Sequence, residues 1–477
     1  MVFFLKHWAR IWLLVTVSFV PVTISAQTFW MQHGGGPTID EGMDISIDAA
    51  GNSYVTGYFT TAAQFGLNTL SSSGVDDIFL TKLDPTGVFV WAVKAGGVNS
   101  DRALSVKTDA SGNSYITGYF YGTATFGSQS ITAAGAQDIF IAKYDNTGVC
   151  LWAKSAGGTG ADIGNGIAVD NAGNVVVTGE FAGTATFGST TFSSQNGSVD
   201  VFTTKLDGNG NFLWAKKGSA WQTDRGIDVD CDASGGIYIT GQFSDTITFD
   251  VVHQNNMLNA VFVVKYDAAG NEQWFRKIGG GAMNIGNSID SDGAGGIYLT
   301  GDFQGTITFF GTSTSTLTST YSNGIFLAKY DLSGNLSWSV QESSDSPLTA
   351  RSVSASPTDC FIGGHFKCTF SSYSDRYAPG LFNSSGFWDV FQGKYSSASG
   401  AWSISRQVGG EQDQTCNGIV GDASGNPHIA GSYMHTLITP VSANFYEYPV
   451  FSSYGTNMYT NMPPMQGLCG DPDYASY

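Results

Sequence analysis

The sequence predicts an all-β fold, a seven-bladed β-propeller of four-stranded blades, and three observations carry that expectation. A tryptophan recurs as Trp30, Trp91, Trp152, Trp214, Trp274, Trp338 and Trp402 at intervals of 60 to 64 residues, so the chain is a sevenfold array. The composition is rich in Gly, aromatics and Ser/Thr and poor in Lys, Glu and Arg, with turn signals roughly every 8 to 12 residues, which favours strands over helices. The first tryptophan precedes any complete unit and the last unit lacks one, so the array closes most simply on itself.

Residues 1–26 read as an export signal. Lys6, His7 and Arg10 form a basic start, Ile11 to Val20 an apolar core, and Pro21 to Ala26 a small-residue cleavage region. That core is too short to span a bilayer, and no later stretch is apolar enough to do so. No cysteine follows it, so a lipid anchor is not indicated. Residues 27–460 are assigned to the propeller and 461–477 to an irregular tail, the whole stretch from Met434 to Tyr477 being rich in Pro, Tyr and Asn.

In its clearest copy the repeat has four strands, A (166–170), B (175–179), C (201–205) and D (212–216). An Asp-x-x-Gly-Asn turn joins A to B, an Asp-x-x-Gly turn joins C to D, and the B–C loop contains Thr186-Phe187-Gly188. In both turns Asp bonds to the backbone as the turn opens and Gly supplies the positive φ that closes it. The A–B Asp recurs as Asp48, Asp109, Asp170, Asp232, Asp292 and Asp422, with Ala355 at that place in the degenerate sixth copy. A Thr-Gly pair follows eight residues on, becoming Gly363-Gly364 in the sixth copy and Ala430-Gly431 in the seventh. Strand C carries Phe79, Phe140, Phe202, Phe262, Phe326 and Phe391, each followed three residues later by Lys. Circular closure makes Trp30 the outer strand of the seventh blade, with its C strand drawn from between Tyr446 and Tyr459. Six or eight blades, or a capped solenoid, are the alternatives.

The run from Asp138 through Lys143 to Trp152, followed by Ala168 to Gly179, resembles the secreted bacterial β-propeller repeat (SBBP) family and, more distantly, NHL-type propellers. The resemblance covers roughly residues 28–435. It implies an exported or cell-surface bacterial propeller and brings no mechanism with it. Many such proteins end in a sorting domain; none is visible between Met434 and Tyr477, which leaves truncation open.

The formal charge is −18, and about −20 without Lys6 and Arg10 of the leader, which makes nucleic acid and anionic membranes poor partners. Cys150, Cys231, Cys360, Cys368, Cys416 and Cys469 do not follow the repeat and contain no Cys-x-x-Cys pair. Residues 360–366 read as one strand of about 20 Å, which argues against a Cys360–Cys368 bridge. No zinc-protease helix, nucleophile elbow or phosphate loop is present.

The face carrying the D–A and B–C connections is the expected site, because those loops are the longer ones. Eight residues before each turn Asp stand Asp40, Asp101, Asp162, Asp224 and Asn284, then Pro347 and Gln414. Such a ring of oxygens suits calcium or a cationic ligand; alternatively each Asp caps a loop or pairs with a neighbouring base. Arg102 and Arg225 follow two of the ring acids and, with Asp101, Asp224 and Trp221, are the candidate ligand contacts. Trp221 is the tryptophan of a D–A loop outside the repeat pattern, whereas the repeated tryptophans read as packing between blades and the repeated lysines as structural pairs. The expected protein is a monomeric, non-enzymatic module binding extracellular glycan or protein, without a required cofactor. A polysaccharide lyase or hydrolase using carboxylates of the long-loop face is the alternative.

Overall fold

A computed structural model describes residues 30–452 apart from 255–258, 281, 311–313, 320–322, 345, 368, 372–380, 384–387, 409–412 and 434–448. The signal region, Cys368, Cys469 and the tail lie outside the described residues. In the third repeat Ile163–Val169, Val175–Ala182, Val199–Leu206 and Phe212–Gly218 form one antiparallel sheet in the order A–B–C–D. The same order recurs in each repeat from Asp40 to Val408. Among the described residues the helical element is a 3-10 turn at Gln195–Gly197, and no helix is long and apolar enough to cross a membrane.

The turn chemistry is visible atom by atom. Asp170 Oδ1 accepts the N–H groups of Ala172 and Asn174 at 2.9 Å, and the Gly173 N–H closes back on the Asp170 carbonyl at a φ of 77°. The repeated lysine of strand C returns to this Asp, Lys205 Nζ lying 2.9 Å from Asp170 and Lys265 3.8 Å from Asp232; in the sixth repeat Lys394 instead lies 3.0 Å from Asp359, at the far end of the turn. Six of the repeated tryptophans latch onto the C–D turn of the following repeat. Trp152 Nε1 donates to Gly208 O at 3.1 Å, Trp274 to Leu332 O at 3.0 Å, and Trp30 to Pro85 O at 3.3 Å. Trp30 thus grips the first repeat as a D-strand tryptophan would grip its successor.

Two expectations need correction. The Thr-x-Thr-Phe-Gly segment of the B–C connection is not a loop: it forms a hairpin, Thr184–Phe187 with Thr190–Ser193 in the third repeat, that pairs with the D strand of the repeat before it. The same seam is made by Gly34↔Phe65, Ala95↔Phe126, Ile278↔Phe309 and Ser343↔Ser371. The physical reason is that D is an edge strand whose exposed backbone takes up an alternating Thr/Phe segment. In the sixth repeat, register places Leu348 and Ser356, not Pro347 and Ala355, at the positions of Asp40 and Asp48, because the Ser-Pro turn there is one residue shorter. Ser356 takes over from Asp, its hydroxyl oxygen accepting the Asp359 N–H at 3.0 Å.

The first and last described strands lie in one sheet. Gln414–Gly421 pairs with Pro427–Tyr433, which pairs with Pro449–Ser452, which pairs with Trp30–Gly35. The core lies between sheets rather than within one: Ile139, Ile141 and Trp152 of the second repeat pack on Ile167, Val177 and Phe202 of the third, and Ala430 packs with Ile45 and Val55. Strands B and C are therefore buried on both faces, which is why they read as unbroken apolar runs. Cys150, Cys231, Cys360 and Cys416 are free.

Candidate binding face

Every A strand carries a β-bulge at the same place. Pairing jumps from Gly42 to Asp44, and equivalently around Leu104, Asn165, Ile227, Asn287, Arg351 and Asn417. The bulge explains the Thr-Gly motif of strand B. A Cβ on Gly179 would overlap the Ile163 carbonyl oxygen, which the bulge pushes against it, and Gly57, Gly118, Gly241, Gly301, Gly364 and Gly431 stand in the same relation to their A strands. The preceding Thr is held as well, Thr178 Oγ1 donating to Phe202 O at 2.8 Å.

A bulge re-aims the extra side chain. All seven extra side chains, Met43, Leu104, Asn165, Ile227, Asn287, Arg351 and Asn417, line one cavity of about 500 Å³. This position differs from repeat to repeat: it is aliphatic in the first, second and fourth repeats and polar in the others. Each Asn binds the next repeat, Asn165 Nδ2 donating to Gly226 O at 2.8 Å, Asn287 to Ala350 O at 2.7 Å and Asn417 to Gly42 O at 2.9 Å.

Below the bulge, side chains cap backbone N–H groups of the next A strand. Asp44 Oδ2 accepts Val106 N–H at 2.8 Å, Asp228 Oδ2 accepts Ile289 N–H at 2.9 Å, and Ser352 Oγ accepts Ile419 N–H at 3.1 Å. Deeper still, Lys107 Nζ reaches Asp230 at 2.8 Å and Asp290 at 3.8 Å, two and three repeats away. Burial pulls the Lys107 pKa down, and those two carboxylates more than reverse it. Burial pushes Asp228 up to about 7 and Asp290 to about 8.

The acids singled out in the sequence occupy the seams between repeats rather than this cavity. Asp40 accepts the N–H groups of Gly36 and Thr60, Asp101 those of Gly97 and Tyr121, and Asp162 those of Gly158 and Ala182, clamping the D–A turn to the end of strand B. Asp224 accepts the Ser244 N–H at 3.0 Å. All four are buried. Burial raises their pKa to about 6 for Asp40 and Asp101, about 7 for Asp162 and about 8 for Asp224, against the pull of the backbone N–H groups. A second carboxylate adds to the rise: Asp77 beside Asp101, Asp138 beside Asp162 and Asp200 beside Asp224. Both members change together at the next two seams, where the paired positions hold Ala260 with Asn284 and Gly324 with Leu348. Among the described residues no group of three or more His, Cys, Asp or Glu is placed to share a metal ion.

Trp221, 63% exposed, stands over a separate hollow of about 440 Å³ whose lining includes Asn196, Ser198, Gln222, Gln242, Ser244 and Asn259 and, among the described residues, contains no charged side chain. Residues 221–228 join the two depressions. Trp221 to Thr223 line the first, Asp224 is buried beneath, and Arg225, Ile227 and Asp228 line the second. Arg225 pairs with Glu180 at 2.6 Å. Arg102 lies elsewhere, its guanidinium 2.6 Å from Asp76 and stacked 3.9 Å over the Tyr58 ring. The structure therefore separates the candidate residues into a seam set, a Trp221 hollow and a bulge-ring cavity. Arg351 was missed in the sequence; its signal was an arginine in a strand-A column that is otherwise aliphatic or Asn.

No family model matches the sequence. An uncharacterized WD repeat-containing protein, L264 of Acanthamoeba polyphaga mimivirus, is 25% identical over 440 residues, covering 74% of this chain and 32% of that protein. The chain spans about a third of the length of this relative. The likeness and the all-β repeat architecture together support a repeat protein of the propeller type.

Proposed function

We propose that the chain is a seven-bladed propeller closed by its N-terminal strand, exported, and acting as a non-enzymatic module that binds glycan at the Trp221 hollow. The observation that carries the ligand class is the make-up of that hollow: an exposed indole beside amides and hydroxyls, with no charge. A sugar ring offers an apolar C–H face for the indole and a rim of hydroxyls for the amides, so this combination suits a neutral sugar. Closure is supported by the pairing of Trp30–Gly35 with Pro449–Ser452 and by Asn417, which bonds the first repeat as Asn165 bonds the fourth. Export, the cell-surface setting and kinship with the secreted bacterial repeat family rest on the sequence.

The test is retention on an array of neutral and acidic oligosaccharides. Binding to neutral glycans is expected, weakened at least tenfold in Trp221→Ala, as for an aromatic hot spot worth about 2 kcal/mol. An array with no neutral glycan bound, or binding indifferent to Trp221, would remove the reading.

A further inference from the structure

The bulge-ring cavity has a composition of its own, and the groups it leaves free define a ligand. Its acids are engaged: Glu41 accepts the Tyr58 hydroxyl at 2.7 Å and the Asn417 amide at 3.0 Å, Glu180 holds Arg225 at 2.6 Å, and Asp44 and Asp228 accept backbone N–H groups and the hydroxyls of Ser105 and Ser288. Arg351 is exposed at the cavity and, among the described residues, has no hydrogen bond or ion pair; its charge acts at longer range on the buried Asp302, which Asn287 and the Ala350 N–H already hold. On either side of it in the ring stand Asn287 and Asn417, whose Nδ2 groups are committed to neighbouring carbonyls, so each amide offers its Oδ1 acceptor. Met43 and Leu104, from adjacent repeats, and Ile227 supply an aliphatic side.

We propose that this cavity binds the free C-terminus of a peptide ending in an aliphatic residue. The terminal carboxylate takes the forked donors of Arg351, which match a carboxylate two-to-two. Peptide N–H groups donate to the asparagine oxygens, and the last side chain lies against Met43 and Leu104. The volume, about 500 Å³, falls within the range of small-ligand pockets. The seven-strand bulge serves this purpose directly, because it gives each repeat one independently variable side chain at the ring while the clamped backbone around it stays fixed.

The experiment titrates the whole protein by calorimetry with N-acetyl-Gly-Gly-Leu as the free acid and as the C-terminal amide. The acid is expected to bind at least tenfold tighter than the amide, and Arg351→Gln, at an exposed position that leaves folding intact, should erase the difference. Leu104→Asp should weaken the acid at least tenfold, while Trp221→Ala, in the neighbouring hollow, should leave it unchanged. Equal affinity for acid and amide, no binding of either, or a preference that survives in Arg351→Gln would each overturn the proposal. Glycan retention by the Arg351→Gln protein keeps this outcome distinct from that of the Trp221 site.

Discussion

At the scale of single residues, the repeated Thr-Gly pair changes meaning once the register is known. Its glycine was plain in the sequence, but a glycine inside a strand reads equally as a bulge, a bend or a close approach. Only the pairing shows that the carbonyl of the residue before the bulged pair occupies the space a Cβ would need. Gly179→Ala should therefore cost about 1–3 kcal/mol, the range for forcing extra volume into a packed site, as read by urea denaturation. Gly173→Ala in the A–B turn meets nothing within 4 Å, so its cost should be backbone strain alone, about 1–2 kcal/mol. The bulged side chains themselves were written in the sequence as an unremarked variable column. Nothing in spacing or hydropathy says that a column between two strand positions faces a common cavity. Trp221 was legible because it breaks the repeat, and Arg351 was not, because it sits in the copy whose register a shorter turn obscures.

At the scale of elements, the repeat uses acids in two opposite ways. The A–B turn aspartates, Asp48, Asp109, Asp170, Asp232 and Asp422, are pushed up by partial burial and pulled further down by the N–H, Asn, Tyr and Lys partners around them. A depressed pKa contributes stability above the ordinary carboxylate range and loses it as pH falls through the folded value. The seam acids do the reverse. Between the unfolded value and about 6 to 8 the folded state holds more protons, so their contribution is present at low pH and is lost as pH rises through that window. Thermal stability should consequently peak near pH 4, about the unfolded carboxylate value, and fall toward pH 8.5 in differential scanning calorimetry. Asp224→Asn should flatten the alkaline limb and raise Tm at pH 8.5, since Asp224 Oδ2 has no partner and the fifth repeat already carries Asn284 at this place. A steeper limb in that variant would show that the seam carboxylates are ionised and paired by another means. The sequence displayed the acid column, yet its burial and its second carboxylate from the preceding strand C depend on seams that spacing alone does not reveal. The hairpins that cross those seams were likewise hidden, because short Thr-rich segments flanked by glycine look like loops until an edge strand is there to receive them.

At the scale of the whole molecule, the strand order within repeats was readable from period, turn chemistry and apolar runs, and the odd tryptophan at the start pointed to the last sheet. The pairing of Trp30–Gly35 with Pro449–Ser452, the donation from Trp30 Nε1 to Pro85 O and the bond from Asn417 to Gly42 O make that link in the same terms that join interior repeats. If the array closes in this way, the N-terminal strand holds both the seventh sheet and the first. Removing residues 27–36 should strip the outer edge of the former and, through Gly34↔Phe65, loosen the hairpin of the latter. The decisive measurement is hydrogen–deuterium exchange of the deleted and complete proteins side by side. Faster exchange confined to 414–433 and 62–71, with 163–218 unchanged, is the expected result; unchanged protection at 414–433, or loss spread evenly over every repeat, would contradict closure by the N-terminal strand.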